Sequence, residues 1–244
     1  MNQKSVIKLV SANIEMNKHL GAVSELLKRE KPDIVCLQEV LERDLPYFEQ
    51  LLGMKGKHIP MATLESPSFE NAIRGLPFGI AMFSRFPTVY KVDYYSGNPN
   101  SLPACIEGDE GNKLLLRGAF SVFGKAFTIG VTHFTWTPDG EADEAQRRDL
   151  SELFSILKQS PDIVFCGDFN APRGREIWQE IAKQYTDNLP LHYTSSIDPI
   201  LHRAKGLQVM VDGLFSTPAY TVSDVRLVEG ISDHTAVVVL IERV

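Results

Sequence analysis

Two stretches of the chain echo each other, and together they restrict the fold more than any other feature. "KPDIVCLQEV" (31–40) and "SPDIVFCGDFN" (160–170) each begin Pro-Asp-Ile-Val after their first residue, run on through apolar residues, and end in acids and amides. A short, nearly continuous apolar run marks a strand buried on both faces. Each run follows an amphipathic helix pattern: Leu20, Val23, Leu26 and Leu27 before the first, Leu150, Leu153, Phe154 and Leu157 before the second. Strands buried on both faces need helices outside them, so the pattern predicts an α/β chain with two similar halves and helix-covered sheets.

The remaining segments fit that frame. "VIKLVSANI" reads as a strand and "DLPYFEQLL" as a helix. "FGIAMFSR" and "TVYKVDYY" read as strands, and "KLLLRGAFSVF" with "AFTIGVTHF" as a hairpin turning at Gly124-Lys125. "GREIWQEIAKQY" is a helix pattern, and "LQVMVDGLFS", "YTVSDVRLV" and "HTAVVVLIE" are closing strands. Residues 53–77, 96–112 and 186–206 read as loops. No linker splits the sequence, so residues 1–244 are expected to form one domain.

The net charge of −6 argues against a protein that coats nucleic acid through bulk charge, and leaves room for local basic loops. Cys36, Cys105 and Cys166 have no metal-binding spacing, which points to a reducing compartment and a cytoplasmic location. The opening residues enter a strand pattern without a secretory apolar region, and no run approaches a membrane span. No partner protein is evident.

Polar residues gather where the apolar strands stop. Asn13 ends the first strand, Gln38 and Glu39 the second, His133 the hairpin, and Asp168 and Asn170 the second echo unit. Asp233 and His234 open the last strand. Asp168 and Asn170, two apart on an extended chain, share a face. Each residue also has an ordinary use as a turn former, a cap or a hydrogen-bonded core histidine. Asp212, inside "VMVDGLF", needs a partner if buried, and His234 is a natural one. Oxygen donors of this kind suit Mg²⁺ or Mn²⁺ rather than Zn²⁺.

The ordered series "SANIE", "LQEV", "TH", "GDFN", "VDGLF" and "SDH" resembles the endonuclease/exonuclease/phosphatase superfamily, over about residues 8–241. The resemblance implies a four-layer α/β/β/α sandwich, two mixed sheets face to face, with the site at one rim. It implies Glu39 as principal Mg²⁺ ligand, with Asn13 and Asp233 on the metal side. It makes Asp168 and Asn170 the pair that orients water and phosphate, His133 a phosphate contact, and Asp212 with His234 an Asp–His pair. Arg117, in "LLLRGAF", matches a position where the family often carries a basic residue.

The substrate class is less constrained. Arg173 and Arg175 in "NAPRGRE" and His202, Arg203 and Lys205 in "LHRAKGL" supply basic loops, and Trp136 lies near the expected rim, where it can stack on a ring or simply pack. The acidic "CIEGDEGN" opposes them. "SDHTAV" departs from the Ser-Asp-His-Cys-Pro of AP endonucleases, and the motifs of the inositol five-phosphatases are absent. The expectation is Mg²⁺-dependent hydrolysis of a phosphoester by water, with a DNA or RNA phosphodiester ahead of a small-molecule or lipid ester. A catalytically silent binding protein on the same fold is the other class.

Overall fold

A computed structural model describes residues 5–106 and 111–244. In chain order the elements are β1 (Val6–Asn13), α1 (Leu20–Glu30), β2 (Ile34–Leu41), α2 (Leu45–Leu52), β3 (Lys55–Leu64), β4 (Pro77–Ser84), β5 (Val89–Ser96) and β6 (Ala104–Cys105). They continue with β7 (Lys113–Val122), β8 (Lys125–His133), α3 (Glu144–Leu157), β9 (Val164–Asp168), α4 (Glu176–Gln184) and β10 (Thr186–Asp187). The chain closes with β11 (Asp212–Ser216), β12 (Tyr220–Val228) and β13 (Ala236–Arg243).

The strands form two mixed sheets, ordered β12-β13-β1-β2-β4-β3-β6 and β10-β11-β9-β8-β7-β5. β1 and β2 are parallel and joined through α1; β8 and β9 are parallel and joined through α3. The two Pro-Asp-Ile-Val units therefore lead into the receiving strands of two equivalent crossovers. β1, β2 and β4 lie against β9, β8 and β7, so the sheets pack face to face.

Alternation along the strands explains the layers. In β2, Ile34 and Cys36 join the cluster holding Leu116, Val131 and Cys166. Val35 and Leu37, pointing the other way, pack with Val23, Leu26, Leu27 and Phe48 of α1 and α2. Beyond the second sheet, Leu150 and Leu153 of α3 and Trp178 and Ile181 of α4 close the outer face. The result is the expected four-layer sandwich. α3 starts where Asp143 accepts the Gln146 amide at 2.7 Å. Among the described residues, no helix is long and apolar enough to cross a membrane.

Three details differ from the sequence expectation. Residues 53–77 contain a ten-residue strand, β3, which Gly56 and Pro60 within it disguise in the sequence. The β7–β8 hairpin turns at Phe123-Gly124, both with positive φ, one residue earlier than expected. Residues 207–211 precede β11 rather than belonging to it, so Asp212 begins a strand instead of lying within one. Of the acidic segment, Glu107, Asp109 and Glu110 lie outside the described residues.

One glycine is required by the sheet that carries the site. At Gly167, φ is +142° and an added Cβ would lie 1.9 Å from the Thr132 carbonyl oxygen. Backbone cannot yield as a flexible side chain can. Gly167→Ala is expected to lower the unfolding free energy by about 3 kcal/mol. Urea denaturation measures this, and an unchanged midpoint would show that the approach is not tight.

Candidate active site

The rim is made by the strand ends that the crossover topology brings together. In parallel pairs, Asn13 stands opposite Gln38 and His133 opposite Asp168. Across the antiparallel pair, Asp212 stands opposite Asp168. His234 enters through a single bridge to Ile197 just before β13.

Glu39 reaches the rim through a bulge. The β2–β4 register shifts between Leu37 and Val40, and Glu39 takes φ +55°. β4 is bulged against on its other side too, where its pairing with β3 shifts between Pro60 and Ala62. Both shifts meet at Gly79, where an added Cβ would lie 2.0 Å from the Ile59 carbonyl oxygen. His58 Nε2 donates to the Val40 carbonyl at 2.9 Å, fastening β3 to the bulged strand across β4. Burial holds His58 below the usual histidine range, which keeps it a neutral donor.

Asp168 is the hub. Its Oδ1 accepts the Asn170 amide at 2.8 Å, and its Oδ2 accepts Asn13 Nδ2 at 3.2 Å. His133 Nε2 stands 3.6 Å and His234 Nε2 3.8 Å from Oδ2. Asn13 Nδ2 also donates to Glu39 Oε1 at 3.1 Å. Asn170, with φ +49°, donates from Nδ2 to the Phe134 carbonyl at 3.0 Å. His234 Nδ1 pairs with Asp212 Oδ2 at 2.8 Å, the contact expected of a buried aspartate. Ser196 Oγ accepts the amides of Val211 and Asp212, both at 3.0 Å, and so fixes where Asp212 enters its strand.

The electrostatics follow from this crowding. Burial first, then neighbouring Asp233, pushes the Glu39 carboxyl up to about 7, against the opposing pull of Asn13 and His234. Burial is also the largest influence on Asp168, at about 6; His234 lowers it, Asp212 raises it, and the Asn170 and Asn13 hydrogen bonds favour the anion. Burial opposes a charged His234, yet Asp212, Asp168 and Asp233 together hold it well above the usual range. His133 goes the other way: burial, Lys113 and His234 hold it well below, so its imidazole is neutral.

Glu39, His133, Asp168, Asn170, Asp233 and His234 line a cleft of about 1040 Å³, with Asn13 and Asp212 bonded to them from outside its lining. Trp136, 39% exposed, and Arg175 border it, as do His202 and Arg203 from the second basic loop. Two expected contacts do not reach it. Arg117 is buried and paired with Asp93 and Ser160. It stands opposite Gly130, three residues along β8 from His133. Arg173 is taken up by Asp187 at 2.8 Å and by the Leu189 and Pro190 carbonyls. Sequence reasoning missed Lys113, a buried lysine bordering the cleft beside His133. Had the hairpin register been known, the first residue of "KLLLR" would have been chosen over the fifth.

The donor set fits a hard divalent cation. Asp233 and Asp168 both raise the cost of ionising Glu39, a repulsion that a cation would offset. Among the described residues, no three His, Cys, Asp or Glu side chains form a ready metal cage. Mg²⁺ needs none, since it is commonly held by one or two carboxylates and keeps several waters.

Two outcomes follow. Water in the cleft screens part of the repulsion at Glu39, so Glu39→Gln should stabilise the metal-free protein at pH 8 by about 1–2 kcal/mol. The sign follows from the raised pKa: folding loses free energy as pH rises from the unfolded value through about 7, and glutamine removes that loss. Thermal melts with EDTA measure it, and a destabilised variant would contradict the crowding. In histidine NMR titrations, Asp212→Asn should move His234 downward; an unmoved His234 would reject the pair.

A family model described as "Endonuclease/Exonuclease/phosphatase family" matches residues 10–234. No curated protein matches the chain at a significant level. Among solved structures, an endonuclease/exonuclease/phosphatase from Bacteroides vulgatus is 17% identical with a TM-score of 0.75, covering 99% of this chain and 100% of that one. A mannosyl-6-phosphatase from Bacteroides thetaiotaomicron is 14% identical at a TM-score of 0.70, covering 96% and 99%. TDP2 of D. rerio, complexed with a single-strand DNA product, is 15% identical at 0.66, covering 97% and 99%. With the family match spanning both crossover units and every rim residue from Asn13 to His234, the chain belongs to the endonuclease/exonuclease/phosphatase family.

Proposed function

We propose that residues 1–244 act as one catalytic domain, a cytoplasmic Mg²⁺-dependent hydrolase that cleaves a phosphoester by direct attack of water. Mn²⁺ is a workable substitute. The observation that carries the reading is the convergence on Asp168 of Asn13, His133 and the Asp212-held His234.

Glu39 and Asp233, with Asn13 beside them, would hold the cation. A cation bound there would neutralise charge on the phosphoryl oxygens and on the leaving oxygen. Asp168, held near 6, accepts a proton from the attacking water as the new P–O bond forms and the ester P–O bond breaks. The protonated His234, fixed by Asp212, faces the negative charge that develops on the phosphoryl group. His133, neutral, can donate one ring N–H to a phosphoryl oxygen without adding charge. Asn170 keeps one N–H and its carbonyl for water or phosphate, because Phe134 uses only one donor.

For the substrate, Arg175, Arg203 and Trp136 at the cleft mouth support a nucleic-acid phosphodiester. The internal engagement of Arg117 and Arg173 favours a second reading, a smaller phosphoester that needs fewer cations. Turnover of bis-p-nitrophenyl phosphate tests the reaction class. It should require Mg²⁺ or Mn²⁺ and stop with EDTA; full activity in EDTA would overturn the reading. Asp168→Asn should lower kcat by about 10²-fold or more while leaving the affinity for a non-cleavable analogue nearly unchanged.

A further inference from the structure

The cleft has two unlike sides. Arg175, His202 and Arg203 lie on one. The other is apolar: Met16, Met61, Leu64, Phe69, Ile73 and Phe78 border the same cavity. None of these six side chains carries a hydrogen-bond donor, and the two serines that line the cavity between Leu64 and Phe69, Ser66 and Ser68, bond each other at 2.8 Å.

The wall is built rather than incidental. Met16, Leu64 and Ile73 form a third buried cluster with Leu41, and Phe69 and Phe78 pack on it, half-buried. The segment between β3 and β4 that carries Phe69 and Ile73 is braced from within. The Arg74 guanidinium donates to the Pro67 and Phe69 carbonyls at 3.1 and 3.2 Å, and Arg43 donates to the Ala72 carbonyl at 2.9 Å. The Gly75 amide returns to the Leu64 carbonyl at 2.7 Å.

The wall is also joined to Glu39. Met16 has φ +59°, and its amide donates to the Glu39 carbonyl at 3.0 Å. Met61 is the bulged residue of β3, set by the same Gly79 that adjoins the Glu39 bulge. A phosphoryl group at Asp168 therefore shares one cavity with this apolar surface.

We infer that this wall is a subsite for a nonpolar aromatic ring esterified to the phosphoryl group, so that the substrate is an aryl-bearing phosphoester. The inference rests on the phosphoester reading above. The half-buried rings of Phe69 and Phe78, backed by the buried thioethers of Met16 and Met61, form the kind of surface that favours a flat π face over an alkyl chain. Against these six side chains a nucleobase would lose hydrogen bonds between its polar edges and water.

Calorimetric titration of the wild-type protein in Mg²⁺ tests this with benzylphosphonate, methylphosphonate, hexylphosphonate and thymidine 5′-phosphorothioate. Benzylphosphonate should bind about tenfold or more tighter than methylphosphonate, from partial burial of one ring, and tighter than the other two. Phe69→Ser should shrink the benzyl-to-methyl ratio to about threefold or less, and Phe69→Leu should give an intermediate ratio. Equal affinities, or a ratio unchanged in both variants, would overturn the subsite. Preference for hexylphosphonate would replace it with an alkyl site, and preference for the thymidine compound with a nucleobase site. Turnover of bis-p-nitrophenyl phosphate on the same samples separates the two readings: turnover without aryl preference sinks only the subsite, whereas absent turnover sinks the phosphoester reading itself.

Discussion

One carboxamide ties the two sheets together at the point where chemistry is proposed. Asn13 ends a strand of the seven-stranded sheet, and its Nδ2 donates both to Glu39 of that sheet and to Asp168 of the other. Two carboxylates that repel each other are thereby held at a shared donor. The remaining geometry depends on this seam. Asp168 is the group that both imidazoles approach, and in the proposed reaction its position relative to Glu39 would set where a phosphoryl group sits.

The seam has an electrostatic cost that the fold meets unevenly. Asp212 and His234 offset one another as a pair, and Asp168 is shared among several donors. Glu39 has only the Asn13 amide and the more distant His234 to set against burial and Asp233. It is the least satisfied anion of the group, which is the usual condition of a site that trades stability for function. The two histidines show how position alone separates identical side chains. One is held charged by three aspartates, and the other is kept neutral by burial beside a lysine.

Much of this was legible in the sequence, for a physical reason. Buried strands must end somewhere, and polar residues at those ends stand out against apolar runs; Asn13, Glu39, His133, Asp168 and His234 were visible in that way. The pairing of Asp212 with His234 was legible because a buried acid requires a partner. What was not legible depended on register. Arg117 and Lys113 are four residues apart in one strand, and only the pairing with β8 shows which stands at the rim. Arg173 looked like a free basic residue because its partner, Asp187, lies beyond α4. β3 was hidden by the glycine and proline within it, and with it went His58 and the apolar wall.

The meeting of two bulges at Gly79 links features that would otherwise be free to diverge. Gly79 pairs with Val40 on one side and Pro60 on the other, so the bulge that aims Glu39 and the bulge that sets Met61 share one residue of β4. Inserting or deleting a residue in this part of β3 would disturb Glu39 and the wall of the cleft together. Descendants of this chain can therefore explore new substrates through the segment between β3 and β4, or through the loop carrying His202 and Arg203. They are barred from doing so by sliding β3 itself: the register is a constraint on lineage as well as on shape.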